Sequence, residues 1–378
     1  MGIPMVVSAL DLTRELIRFN TVNPPGDERP CAEHLARILE SAGFEIELVP
    51  FRDERAQLIA RIGGSSDKLP LCFTGHLDTV PLGTQPWSFD PFAAPIEDGK
   101  LYGRGSSDMK SGIAAFVVAA ANLASTLDGT PGLLLVITAG EETGCDGAFD
   151  LEAHKDRLGH VGAIVVAEPT GNRPMVGHKG ALWLTAETNG VTAHGSMPEK
   201  GINAIYKAAR AVATLEQFDF NVARHDVLGA PTLNVGTIRG GLNINSVPDR
   251  VEIGIDIRTI PTQSHSRIRE ELASYLGFDV TLEALIDVES VWTEPDHPWM
   301  REVFEIVQDI VGAQPETATA PYFTDAAALK SMLGAPPTVI LGPGELALAH
   351  QTDEYCLVDR IEEAAEIYAA LTRKWCAL

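Results

Sequence analysis

Four short apolar runs constrain this chain more than any other feature. They span residues 57–62, 69–74, 133–138 and 163–167, and each is bounded by Gly, Pro or Asp. Each has the length of a strand. Stretches with helix-spaced apolar positions lie around and between them, at 8–19, 28–42, 109–124 and 147–154. This alternation predicts an α/β fold, a mostly parallel sheet flanked by helices. Sites in such sheets form beyond the carboxyl ends of the strands. His76, Glu141, Glu142 and Glu168 all fall just after predicted strands.

From about Val176 the pattern changes. Residues 178–188, 232–239 and 250–259 alternate like half-exposed strands, with helices at 201–216 and 264–276 and a last strand at 279–287. The order strand–helix–strand–strand–helix–strand predicts an α+β ferredoxin-like unit, an antiparallel sheet with two helices on one face. Metal-type residues stop at Glu168 and resume at His350. The second unit therefore reads as an insertion: residues 1–175 plus 290–378 form one domain and 176–289 the other. An amphipathic helix at 359–374 ends the first domain.

Charge excludes several function classes. With 29 Lys and Arg against 52 Asp and Glu, the net charge of -23 repels phosphate backbones and anionic lipid. We expect neither a nucleic-acid nor a membrane partner. Five cysteines, an odd number without a CxxC pair, suit reduced thiols rather than a disulfide framework. The first residues lack a basic region followed by an apolar stretch and a cleavage site, so a cytoplasmic location is expected.

The residues at the strand ends are imidazoles and carboxylates, a mixture suited to divalent cations of borderline or hard character. Five ligands are too many for one catalytic ion that keeps a position open, and they divide symmetrically. One ion takes His76, Asp108 and Glu168; the other takes Asp108, Glu142 and His350; Asp108 bridges. Asp78, two residues from His76, is placed to accept the second ring N–H of that histidine. Glu141 is the candidate general base. Taken singly, each motif has an ordinary explanation: an HxD in a surface loop, a solvated Glu pair, an Asp in a Gly/Ser turn. Their common position at strand ends favours the metal.

The segments TGHLDTVP, WSFDPF, GKLYGRGSSDMKSG, GEETG, EPT and GVTAHGSMPEKGINAI together resemble the di-zinc amidohydrolytic peptidases. That family includes acetylornithine deacetylase, succinyl-diaminopimelate desuccinylase, aminoacylase and glutamate carboxypeptidase. The late segment VILGPGELALAHQTDEY is most similar to the acetylornithine deacetylases. The resemblance covers essentially the whole chain. It implies the same five ligands, Glu141 as base, Asp78 behind His76, and a cis peptide after Asp108. It also implies a homodimer through the inserted domain, in which His194 reaches the partner's site and donates to the oxyanion. Arg258 and Asn245 match positions that hold a substrate carboxylate, and Thr324 and Gly344 match substrate-lining positions; Lys179 in GHKGALW is a further candidate anion contact.

These readings lead to one expectation: a two-metal hydrolase, with zinc, or cobalt or manganese in its place, removing the acyl group from an N-acyl amino acid such as N-acetylornithine. Dipeptidase, carboxypeptidase, desuccinylase and hydrolysis of an unusual amide or aryl-amine remain open on the same scaffold. A non-catalytic metal-binding dimer is the rival of another class, and the intact Glu141 argues against it.

Overall fold

The computed structural model describes residues 8–52, 55–64 and 66–378. The chain divides into two compact units. The first comprises the segment ending at Gly177 with Trp292–Ala320 and Thr324–Leu378; the second comprises His178–Val291 with Pro321–Phe323.

The first unit is built on one large sheet. Across it run Glu45–Pro50, Ala56–Ile62, Leu133–Thr138, Leu71–His76, Ala163–Val166, Thr338–Ile340, Met175–His178 and Val291–Trp292, with Ala318–Ala320 paired to Met175–His178. The four inner strands, Leu133–Thr138 through Thr338–Ile340, are parallel. They are buried along their whole length, as parallel strands covered on both faces must be. Leu71, Phe73, Leu135, Ile137 and Val165 share one core with helices Ala9–Ile17, Arg29–Ser41, Lys110–Leu123 and Val358–Cys376. Helix Lys110–Leu123 is apolar nearly all round because neighbours surround it. A Cβ on Gly112 would sit 2.1 Å from the Ala167 carbonyl oxygen, so only glycine allows this approach of helix to strand.

Two details differ from the sequence reading. The strand expected at 69–74 runs instead from Leu71 to His76. Pro70 has no N–H to give a ladder, and the shift makes His76 the last strand residue rather than a loop residue beyond the strand. The strands Glu45–Pro50 and Ala56–Ile62 join the sheet antiparallel, a pairing the apolar pattern did not reveal. The connection between these two is too short for a parallel crossover.

In the second unit, strands Thr232–Gly240, Arg250–Thr259, Gly180–Asn189 and Val280–Val288 form one antiparallel sheet in that order. Leu182, Leu184, Ala186, Val251, Ile253, Ile255 and Ile257 pack on helices Ala204–Leu215 and His265–Leu276. The intervening residues, Trp183, Asp256 and Arg258 among them, belong to the opposite face. The expected element order is the one observed. Among the described residues, no helix is long and apolar enough to cross a membrane.

Candidate metal centre

Strand register brings the site together. His76 pairs with Thr138, and Thr74 with Val166, so three parallel strands end nearly level. His76 ends one strand; Glu141 and Glu142 follow the second; Glu168 lies two residues beyond the third. Asp108 closes the turn before helix Lys110–Leu123, and its peptide bond to Met109 is cis. His350 comes from the loop before strand Tyr355–Leu357.

Two groups of ligand atoms result. His76, Asp108 and Glu168 offer atoms that all lie within 4.8 Å of one another, and so do Asp108, Glu142 and His350. His76 Nε2 is 3.2 Å from Asp108 Oδ1 and 3.7 Å from Glu168 Oε1. His350 Nε2 is 3.4 Å from Asp108 Oδ2 and 3.1 Å from Glu142 Oε2. Donor atoms around a tetrahedral ion with bonds of about 2.1 Å lie about 3.4 Å apart, so the spacing fits. Asp108 turns one oxygen to each imidazole.

The electrostatics ask for cations. Burial pushes Glu141 and Glu168 well above the usual carboxylate range; the charges of Glu168, Glu142 and Asp325 add to this at Glu141, and those of Asp108, Glu142 and Asp325 at Glu168. Glu142 is raised by burial and by Asp108, and its Oε1 is buried without a hydrogen-bond partner. Burial works against a charge on His76, yet bonds to Asp108 and Asp78 and the charges of Glu168 and Glu141 raise it well above its ordinary value. Burial also disfavours the Asp108 charge, but His350 and His76 hold its carboxyl well below the usual range. Carboxylates crowded in a desolvated cleft around two imidazoles, with one oxygen orphaned, suit divalent ions of the Zn, Co or Mn type.

Asp78 works differently from the sequence expectation. The nearer acceptor for His76 Nδ1 is the Asp78 backbone carbonyl, at 2.9 Å; the carboxylate is 3.5 Å away. That carboxylate instead accepts the backbone N–H groups of Gly140, Glu141 and Glu142 at 2.8, 3.1 and 3.2 Å. Asn23 Nδ2 donates to it as well, at 2.9 Å. Arg55, bidentate to Glu28, stands 4.0 Å behind. Fixing the Gly140–Glu142 turn lets neighbouring glutamates serve one cleft. The φ of +77° at Gly140 makes that turn a glycine position.

Besides Glu28, two buried acids next to the ligand loops escaped the sequence reading. Asp325 sits beside the Glu141 loop, hydrogen-bonded to Thr138, and burial lifts it to about 6. Glu354 is fully buried against Arg104 and the 105–108 turn. The adjacency of Asp325 to Thr324, and of Glu354 to His350 in HQTDEY, was the only signal available.

Thr324 is buried, and its hydroxyl accepts the Ala326 N–H. Gly344 packs against the Asp108 loop, where a Cβ would lie 2.1 Å from the Ser107 carbonyl oxygen. His194, Asn245, Arg258 and Lys179 belong to the second unit. There Gly195 N–H donates to the Asn245 carbonyl at 2.7 Å, which sets Asn245 beside the exposed His194. Ser196 N–H donates to His194 Nδ1 at 3.2 Å, leaving Nε2 to carry the proton of the neutral ring. Arg258 pairs with Asp256 at 2.9 Å and lies over Trp183. Lys179 donates to the Ala230 carbonyl.

A third acidic–histidine group, His265, Asp287 and Glu289, was given no role from sequence. The His265 ring is engaged on both sides, by Asp287 at 2.6 Å and Thr259 at 2.7 Å, and ties strand ends to the start of a helix. All five cysteines are free and buried.

Comparison with known proteins places these residues in context. Residues 72–374 match the peptidase family M20/M25/M40. The chain is 32% identical over 376 residues to an acetylornithine deacetylase of Pasteurella multocida, covering 95% of this chain and 94% of that protein. It is 28% identical to a protein of Staphylococcus epidermidis named as a probable succinyl-diaminopimelate desuccinylase, covering 94% and 95%. Among solved structures, an M20 family metallo-carboxypeptidase from Sulfolobus solfataricus superposes with a TM-score of 0.81 at 20% identity, over 98% of this chain and 99% of that one.

Proposed function

The chain belongs to peptidase family M20/M25/M40, a hydrolase family acting on amide bonds, and from that premise we propose that it removes the acyl group from an N-acyl amino acid, N-acetylornithine or a close relative. The observation that carries this reading is Asp108, whose two oxygens face His76 and His350 separately, with Glu141 in the same cleft. We assign His76, Asp108 and Glu168 to one cation and Asp108, Glu142 and His350 to a second.

When bound, two divalent cations supply a Lewis acid for the amide carbonyl and acidify the attacking water. Glu141 accepts the proton of that water as oxygen adds to the carbonyl carbon. Its burial among carboxylates raises its proton affinity, which suits a group that must hold a proton and then release it. As the C–N bond breaks, Glu141 returns the proton to the departing amine, giving a carboxylic acid and a free amino acid. His194 of the partner subunit donates from Nε2 to the oxyanion. Arg258 and Asn245 hold the substrate carboxylate, an acceptor that suits a guanidinium fork. Thr324, Gly344 and Lys179 are assigned further substrate contacts.

Features of the second unit support a homodimer. Leu242 and Ile244 stand out into solvent at 96% and 105% exposure, and Ile238 on the edge strand Thr232–Gly240 and Tyr206 on the adjacent helix are also exposed. Bare apolar side chains next to an unpaired strand edge favour a second copy.

A screen of N-acyl amino acids and short peptides with zinc or cobalt, with and without chelator, tests the reading. Chelator-sensitive release of acetate from N-acetylornithine supports it. Preferential cleavage of an N-succinyl substrate moves the assignment to a desuccinylase, as the Staphylococcus relative suggests. No cleavage of any acyl or peptide amide contradicts it.

A further inference from the structure

We propose that Glu354, backed by Arg104, is a positioning residue that presets Asp108 for two cations while touching neither; the inference rests on the two-metal reading above. Glu354 and Arg104 are both essentially unexposed, at 0% and 1%. Glu354 Oε1 accepts the N–H groups of Ser107 and Asp108 at 2.8 and 3.0 Å. Its Oε2 accepts Gly105 N–H at 3.0 Å and Arg104 Nη1 at 2.7 Å. All four contacts are donors, so the carboxylate is used only as an anion. Three backbone amides in four residues converge on it, and the last belongs to Asp108 itself.

The segment that supplies Glu354 also supplies His350, four residues earlier. It is tied down on both sides of Glu354. Asp353 accepts from Ser88 N and Oγ, both at 2.7 Å, and the Tyr355 carbonyl accepts from Ser107 Oγ at 2.7 Å. Asp108 and His350 are thus fixed relative to each other before any ion arrives. Asp78 does the same for the turn bearing Glu141 and Glu142. Two buried carboxylates, each accepting three backbone amides, secure the two turns from which the bridging and terminal ligands project. An anion accepting several amides holds a loop more firmly than neutral acceptors do.

The test is Mn(II) titration of metal-free protein followed by electron paramagnetic resonance, on the full chain and on Glu354→Gln. Tyr368→Phe, which removes the buried bond from Tyr368 to the Leu341 carbonyl, sets a baseline for general destabilisation. The wild type and Tyr368→Phe should take two spin-coupled ions per chain. Glu354→Gln should lose the coupling, bind the second ion about 10–100-fold more weakly, and lose kcat with little change in KM. Should Glu354→Gln not fold, amide exchange on the wild type decides. Ser107 and Asp108 amides should be as protected without metal as with it. Free exchange of those amides in otherwise protected metal-free protein overturns the inference. Retained coupling in Glu354→Gln, with a loss of thermal stability like that of Tyr368→Phe, also overturns it. Failure of the wild type to take two coupled ions overturns the two-metal reading instead.

Discussion

The Glu141 backbone N–H donates to the Asp78 carboxylate at 3.1 Å. The candidate base is thereby fixed through its main chain, by an acid that the sequence had placed behind a histidine. Replacing Asp78 with Ala strands the amides of Gly140, Glu141 and Glu142 in a buried pocket. The expected cost is about 1–3 kcal/mol per unsatisfied group before relaxation, and about 10–100-fold in turnover or metal affinity. Denaturant unfolding and metal titration check this. Wild-type turnover in that variant contradicts the clasp role.

Glu141→Ala removes a side chain assigned to neither cation. Two metals per chain should remain, with turnover reduced about 100- to 10,000-fold. Elemental analysis beside steady-state kinetics reads both. Loss of metal together with activity moves Glu141 from base to ligand.

The metal-free protein should depend on pH through His350. Hydrogen bonds to Asp108 and Glu142 lift this imidazole from 6.5 to about 10. The stability it contributes is complete below about pH 6.5 and is lost as pH rises toward 10. A cation needs the neutral ring, so cation affinity should increase over the same interval. Thermal unfolding of chelated protein across that range should show Tm falling, and His350→Gln should flatten the trend. A Tm that falls equally in His350→Gln assigns the dependence to another group.

The exposed pair Leu242 and Ile244 tests the assembly. Ile244→Asp should shift the sedimentation coefficient to that of a monomer. If His194 acts on the partner's site, the same variant loses activity while each chain keeps its metals. An active monomer contradicts the shared site.

Much of the architecture was legible because it is written in periodicity. The inner strands are apolar on both faces, and the second unit alternates because one face packs on helices while the other does not. The five candidate ligands were legible because they are chemically distinctive; His76, Glu142 and Glu168 end or follow strands as expected, whereas Asp108 precedes a helix and His350 precedes a strand, both in loops rather than at the strand ends the sequence reading gave them. What stayed hidden depends on main-chain contacts. The role of Asp78 lies in three amides some sixty residues away, and nothing in HLD announces them. Glu354 looks like any acidic residue in a polar segment until the 105–108 turn closes over it. Strand Glu45–Pro50 is short and mostly half-exposed, and it lacks the unbroken apolar run that marks the inner strands.

The central claim is that Asp108 is shared by two cations, and diffraction from zinc-soaked crystals measured at the zinc absorption edge tests it most directly. Two anomalous peaks should flank the Asp108 carboxylate, one beside His76 and Glu168 and one beside Glu142 and His350. A single peak, or none within reach of Asp108, contradicts the account.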